Sequence, residues 1–110
     1  MKVAIVGSRD ITVNIAPFVP AEATEIISGG ARGVDSLAEQ YAREHGIPFT
    51  LVKPEYKLLG KHAPLARNVE IVKRAELVIA IWNGKSKGTK NTIQTAKELG
   101  RQVRVYLIPE

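Results

Sequence analysis

The chain has 110 residues, of which 45% are hydrophobic and 25% charged, and a formal charge of +5. This length and composition predict one globular domain over residues 1–110. The absence of cysteine excludes a disulfide framework and a thiolate metal site. No apolar run approaches the roughly 18 residues of a membrane span, and no signal-peptide pattern precedes the first strand. We therefore expect a cytoplasmic protein with no membrane partner.

Apolar runs of strand length alternate with helical patterns along the chain, which predicts an α/β fold. The predicted strands are Val3–Val6, Glu25–Ser28, Phe49–Val52, Leu77–Ile81 and Val103–Ile108. Their nearly continuous apolar character is typical of strands that helices cover on both faces. We expect a Rossmann-like three-layer sandwich with a mainly parallel five-stranded sheet.

Helices are predicted after the second, third and fourth strands. The first has Asp35 as its N-cap, and its inward face is Val34, Leu37, Ala38, Tyr41 and Ala42. The second begins near Pro64 and faces inward with Leu65, Val69 and Val72. The third covers about Thr89 to Leu99. Between the first two strands, Pro17 and Pro20 allow only a short helix around Val13–Phe18.

The loops that leave the strands differ in composition from the loops that enter them. Those that leave are rich in glycine, serine and basic residues, whereas those that enter are plain turns. In an open parallel α/β sheet, ligands bind beyond the carboxyl ends of the strands, where the winding reverses. The sequence therefore predicts a ligand site at this edge.

The most distinctive of these loops runs from Ser28 to Asp35. It places Gly29, Gly30 and Gly33 around Arg32, directly before a helix. Glycine permits positive φ and close backbone approach, while a helix start and a guanidinium both suit phosphate. The alternative is a tight turn whose glycines serve chain geometry alone. We take the whole loop as ligand-binding: Ser28, Gly29, Gly30, Ala31, Arg32, Gly33 and Asp35.

Three further loops supply the remaining candidates for ligand binding. They are Gly7, Ser8 and Arg9 after the first strand, Lys61, Arg67 and Asn68 after the third, and Trp82, Ser86, Gly88 and Thr89 after the fourth. Trp82 either stacks on a nucleobase or packs at its strand end. Arg67 and Asn68 either reach the cleft or face solvent, and the lysines near the fourth strand are equally typical of a solvated face.

The sequence favours binding over catalysis. His45 and His62 lack metal-ligand spacing, so no metal is assigned. No paired carboxylates and no Ser-His-Asp arrangement occur at the strand ends, so the catalytic residues stay unknown.

Several of these motifs resemble the SLOG superfamily, which joins DprA (Smf), the Lonely Guy phosphoribohydrolases and small stand-alone Rossmann-like domains. The segment Ser28–Asp35 is especially similar to DprA. The segments Gly60–Asn68 and Trp82–Thr89 look most like the stand-alone YspA/YpsA-related group, and Gly7-Ser8-Arg9 and Gly88–Thr92 match the superfamily at large. The resemblance covers nearly the whole chain.

The resemblance implies a Rossmann-like domain that binds a nucleotide or nucleotide derivative such as NAD or ADP-ribose, in a sensor or accessory role. It also implies a homo-oligomer, a dimer or tetramer. Weak single-stranded DNA binding in the manner of DprA is a second expectation. The third is a phosphoribohydrolase-type nucleotide hydrolase, but Thr92 stands where Lonely Guy enzymes have their catalytic glutamate, with Glu70 and Asp35 as imperfect substitutes.

Overall fold

The computed structural model describes residues 1–30 and 32–109, so the predicted site residue Ala31 lies outside the described part. The strands are β1 (Lys2–Gly7), β2 (Glu25–Ser28), β3 (Phe49–Leu51), β4 (Leu77–Trp82) and β5 (Gln102–Leu107). The α-helices are α1 (Val34–Glu44), α2 (Tyr56–Leu59), α3 (Ala63–Arg74) and α4 (Lys87–Glu98). Short 3-10 turns occupy Ala16–Phe18 and Gly60–His62.

The five strands form one parallel sheet in the order β3-β2-β1-β4-β5. The expected α/β fold with a parallel five-stranded sheet is thus confirmed, and the arrangement of helices around it is that of a Rossmann-like sandwich. The chain winds outward from β1 through β2 to β3, then returns through α3 to β4 on the other side of β1. The winding therefore reverses between β1 and β4, and their carboxyl ends flank the switch point.

Helices cover both faces of the sheet, because alternate residues of the central strands are apolar on both sides. One face buries Val3 and Ile5 of β1 against Val34, Ala38 and Ala42 of α1. The other face buries Ala4 and Val6 against α3 and α4, through residues that include Ile71, Val72, Ile93 and Ala96. The central strands are therefore fixed from both sides, which holds their carboxyl ends in place.

Two predictions for the helices are wrong. The N-cap of α1 is Gly33, and Asp35 lies in the first helical turn instead. Leu65 was expected to face inward, but its side chain is 52% exposed. The inward face of α3 is instead Ala63, Asn68, Ile71 and Val72, and the buried Asn68 is hydrogen-bonded to Arg67 and Asn91.

The first connection contains the predicted short helix only as the 3-10 turn Ala16–Phe18. This connection packs on the same face of the sheet as α1, where Phe18 contacts Tyr106 of β5 with ring centroids 4.6 Å apart. The helix α2 was not predicted, because four residues are too few to show a helical period. Within residues 1–30 and 32–109, no helix is long and apolar enough to cross a membrane.

Candidate functional site

A small cleft lies at the switch point, beyond the carboxyl ends of β1 and β4. Its volume is about 100 Å³, well below the usual 300–1,000 Å³ of pockets that enclose whole drug-sized ligands. Eleven described residues line it: Val6, Gly7, Arg9, Asp35, Arg67, Asn68, Ile71, Ser86, Gly88, Thr89 and Thr92. These residues belong to β1 and the turn after it, to α1, to α3, and to α4 and the loop before it. Four separate segments of the chain therefore meet at the cleft.

The turn after β1 is locked to the neighbouring strand. A Cβ on Gly7 would lie 2.3 Å from the carbonyl oxygen of Ile81 and 2.7 Å from the side chain of Val34, so only glycine fits. Ser8 is buried, and its Oγ accepts a hydrogen bond from the backbone N–H of Asn83 (3.0 Å). Arg9 follows as an exposed side chain that lines the cleft. The turn therefore presents Arg9 from a rigid base.

The start of α1 sits directly on this turn. Gly33 has φ of 73° and ψ of −126°, and a Cβ there would lie 2.5 Å from the Ser8 carbonyl oxygen and 2.4 Å from that of Arg9. The N–H of Val34 donates to the Ser8 carbonyl oxygen (3.4 Å). Asp35, 6% exposed, then enters the wall of the cleft. The glycine thus allows α1 to begin close enough to aim Asp35 inward.

A chain of hydrogen bonds joins the β2 turn to α3 and α4. Arg67 donates from Nη1 to the Gly29 carbonyl oxygen (3.0 Å) and from Nε to Asn68 Oδ1 (3.0 Å). Asn68 donates from Nδ2 to Asn91 Oδ1 (3.0 Å). A Cβ on Gly29 would lie 2.6 Å from Arg67 Nη1 and 3.2 Å from Asp35 Oδ2. Gly29 therefore lets the guanidinium and the carboxylate pack over the same backbone position.

The amino terminus of α4 forms another wall. Ser86 is the N-cap, and its Oγ accepts from the Thr89 N–H (3.3 Å). The N–H groups of Lys87 and Gly88 belong to the first turn of α4, where the helix itself supplies no carbonyl acceptor. They add to the partial positive charge of the helix start, which favours an anion.

Seven predicted site residues lie apart from these walls or serve the fold. Ser28 is fully buried and donates from Oγ to the Ile5 carbonyl oxygen (2.8 Å). Trp82 is half-buried, and its Nε1–H donates to the Ser86 carbonyl oxygen (3.0 Å), which supports the loop before α4. Ser8 and Gly33 have the supporting roles given above. Arg32 and Lys61 are exposed and are not among the lining residues, and Gly30 faces Leu51.

Two polar residues of this region were not among the predicted site residues. Thr92 lines the cleft, 3% exposed, and donates to the Gly88 carbonyl oxygen (3.1 Å). Asn91 holds Asn68 across α3 and α4. Both residues follow Gly88 and Thr89 closely in the first part of α4, and this proximity to two predicted site residues could have indicated them from the sequence.

The acidic residues weighed as catalytic substitutes are separated by the fold. Asp35 carries the one carboxylate among the described lining residues, whereas Glu70 pairs with Arg74 (2.8 Å) on the surface of α3. In the described part of the chain, no group of three or more His, Asp or Glu residues is arranged to hold a metal ion.

Comparisons with known proteins add one relative. The chain is 33% identical over 81 residues to the Gene 61 protein of Mycobacterium phage D29. The match covers 68% of this chain and 65% of the phage protein, so it spans slightly less than two thirds of that relative. No protein-family model matches the chain. No solved structure matches it either.

Proposed function

We propose that this domain binds a nucleotide or nucleotide derivative of the NAD, ADP-ribose or nucleoside phosphate type at the switch-point cleft, in a sensor or accessory role. We also propose that it belongs to the SLOG superfamily. The observation that carries the binding proposal is the meeting of Arg9, Arg67 and the α4 amino terminus in one cleft. Oriented N–H groups and guanidinium groups are the donors that bind phosphate in proteins.

The size of the cleft limits which part of the ligand is enclosed. A volume of about 100 Å³ admits a phosphate or a sugar but not a complete nucleotide. We expect the phosphate to bind inside, beside the arginines and the start of α4, and the base to extend toward solvent. Affinity should depend strongly on phosphate and weakly on the identity of the base.

Thermal unfolding with AMP, ADP, NAD⁺ and ADP-ribose tests this proposal. A ligand at about 100 times its Kd stabilises the folded state by about 2.7 kcal/mol, which raises Tm by about 10 °C or more in a domain this small. Arg9→Ala removes a charged contact worth about 1.5–3 kcal/mol, so most of that rise should disappear. Arg104→Ala on β5 removes another exposed arginine, away from the cleft, and should leave the rise intact. No rise with any of these ligands contradicts the proposal.

Single-stranded DNA is a second candidate ligand. It is favoured by the exposed Lys85, Lys87 and Lys90 beside the cleft and by the net charge of +5. Binding of this kind should strengthen with strand length and weaken steeply with salt, because phosphate contacts release counterions. A mononucleotide site shows neither dependence strongly. Affinity for oligothymidylates of increasing length at two salt concentrations separates the two.

Nucleotide hydrolysis is a third candidate, favoured by the position of Asp35 in the cleft. Hydrolysis at the glycosidic bond needs a carboxylate or an equivalent group at the sugar. Release of free base from AMP, detected by chromatography and lost in Arg67→Ala, supports this candidate. Intact AMP after prolonged incubation excludes it.

We further propose that the protein self-associates as a dimer or tetramer. Large apolar side chains are exposed between β3 and α3, namely Leu51, Tyr56, Leu58, Leu59 and Leu65. Such a surface is typical of an interface. Light scattering across a concentration series should report a mass above 12.0 kDa, and Leu58→Asp, at a side chain 79% exposed, should lower it. A monomer at every concentration contradicts self-association.

A further inference from the structure

The two outer strands of the sheet differ in how open they are to a further strand. β3 and β5 stand at the two ends of the strand order, so each has one edge without a partner strand. β3 has only three residues, with Pro48 before it and Pro54 shortly after it. β5 has six residues, none of them proline or lysine. Short edge strands, prolines and lysines are the usual means of preventing edge-to-edge pairing, so β5 is the open edge.

The free edge of β5 presents the backbone groups of Val103, Val105 and Leu107. The Ile108 N–H donates to the Trp82 carbonyl oxygen (2.8 Å), next to the last residue pair of the β4–β5 ladder. Backbone groups alternate in direction along a strand, so every second residue before Ile108 also points its N–H and C=O toward β4. The residues between them point these groups outward. Within residues 1–30 and 32–109, no other segment is hydrogen-bonded to the outward groups.

The side chains of β5 place apolar surface beside these free backbone groups. Val103 packs against the core under α3 and α4, so Val105 and Leu107 point to the same face by the strand period. Their side chains are nevertheless 41% and 60% exposed. Tyr106 points to the opposite face, where it contacts Phe18. An edge with unpaired backbone groups and exposed apolar side chains is suited to a partner strand.

We propose that β5 pairs antiparallel with β5 of a second copy of this chain, with Val105 opposite Val105 on the two-fold axis. The pairing joins the two sheets into one continuous sheet. This inference specifies an interface for the self-association proposed above and does not depend on nucleotide binding. Val105 pairs with its own copy, and Val103 pairs with Leu107 in both directions. All of these residues point their N–H and C=O groups outward, so the pairing forms about six hydrogen bonds between the copies.

The sequence of β5 is complementary to itself in this register. Val103 faces Leu107 on one side of the sheet, and Arg104 faces Tyr106 on the other, where a guanidinium and an aromatic ring attract each other. Centring the pair on Arg104 instead would oppose two guanidinium groups. The residues paired in that register would also point their backbone groups toward β4, away from the second copy. Charge and hydrogen bonding therefore favour the register centred on Val105.

Mixing two oppositely charged variants tests this pairing. Every protein also carries Leu58→Asp, which disrupts the exposed apolar surface between β3 and α3 and isolates the β5 edge. With Leu58→Asp alone, sedimentation velocity should give twice the chain mass of 12.0 kDa. Adding Val105→Lys or Val105→Glu opposes like charges on the two-fold axis and should raise the dimer Kd about 10-fold or more. An equal mixture of the two should restore the dimer, because lysine then faces glutamate.

Gln102→Lys in the same background is the matched control. Gln102 is an exposed residue of β5 that faces Ile108 of the second copy and not its own counterpart. The added charge therefore meets no like charge on the axis, and the dimer Kd should stay within about threefold. Circular dichroism confirms that each variant is folded before mixing.

Each outcome bears on a different claim. A monomeric Leu58→Asp protein beside an associating wild type overturns the β5 pairing and leaves the self-association standing. A dimer that is insensitive to charge at position 105, or folded variants that stay monomeric when mixed, also overturns this pairing. A wild-type monomer at every concentration overturns the self-association and the β5 pairing together. The Leu58→Asp measurement changes nothing on β5, so the proposal stays falsifiable even if the Val105 variants fail to fold.

Discussion

The two edges of the parallel sheet differ in a way that their charge does not reveal. At the amino edge, a cavity of about 600 Å³ is lined by Lys2, Lys73, Arg74, Ala75, Glu76, Gly100, Arg101 and Gln102. At the carboxyl edge, the cleft is only about 100 Å³, yet Asp35, Asn68, Thr89 and Thr92 line it as buried polar residues. Volume and positive charge alone would favour the amino edge. Buried polar side chains distinguish the carboxyl edge.

Both arginines that line the amino-edge cavity bond to the chain itself, and Arg74 pairs with Glu70 (2.8 Å). Arg101 donates from Nε to the Val72 carbonyl oxygen (3.4 Å) and from Nη2 to that of Lys73 (3.3 Å), at the carboxyl end of α3. Helix carboxyl ends carry partial negative charge and repel anions. The helix amino ends at the other edge do the opposite. The direction of the helices therefore decides which edge suits a phosphate.

The largest expected effect tests how tightly the carboxyl edge is built. Gly33→Ala places a Cβ against two carbonyl oxygens, whereas Gly60 has a similar backbone (φ 54°, ψ −129°) and nothing within 4 Å. Both substitutions carry about 1–3 kcal/mol of backbone strain. Gly33→Ala should cost about 1–3 kcal/mol more in the free energy of unfolding, because the neighbouring turn must move. Equal losses in urea denaturation would show that the edge yields easily.

A smaller effect is expected from the hydrogen-bonded link between α3 and α4. Asn68→Ala removes the partner of both Arg67 Nε and Asn91 Oδ1, and Asn68 is 6% exposed. The free energy of unfolding should fall by about 1–3 kcal/mol. Gln94→Ala, at an exposed position of α4, should stay within about 0.5 kcal/mol. Chemical denaturation of both variants measures this, and a neutral Asn68→Ala would contradict the link.

The cap of α4 is expected to contribute less. Ser86→Ala removes the oxygen that accepts from the Thr89 N–H and should cost about 1 kcal/mol. Ser36→Ala changes an exposed serine of α1 and serves as the control. If Tm falls equally in both variants, Ser86 is no stronger as a cap than a surface serine.

The smallest effect separates the two edges directly. Arg101→Ala removes the donors to the end of α3 and should cost about 0.3–1 kcal/mol of stability. It should leave the affinity for AMP unchanged, because the proposed site lies at the other edge of the sheet. Urea denaturation of this variant measures its stability and titration calorimetry its affinity for AMP; weaker binding of AMP would place the amino edge in the site.

The strands were predictable from sequence because each is a short apolar run between turn residues. Glu25–Ser28 was predicted with the observed bounds, and the ends of the other four strands differ from the prediction by at most one residue. The inward face of α3 was not predictable in the same way. Asn68 is buried and Leu65 exposed, which reverses their usual preference, because Asn68 bonds to Arg67 and Asn91 across helices.

The edge that carries the cleft was also predictable, since loop composition differs between the two ends of the strands. The structural roles of the glycines at this edge were not predictable. Gly7 and Gly33 avoid backbone carbonyl groups of neighbouring segments, and Gly29 makes room for Arg67. These are tertiary contacts that no local pattern encodes. The exposed Arg32 matched the phosphate-loop pattern, but the arginines that line the cleft are Arg9 and Arg67.

Amide chemical-shift mapping with AMP tests the central claim most directly, because it reports both edges in one titration. The account predicts shifts at Arg9, Gly88 and Thr89, with Glu76, Gly100 and Gln102 unchanged. Shifts confined to Glu76, Gly100 and Gln102, or no shifts at millimolar AMP, would contradict a nucleotide site at the carboxyl edge.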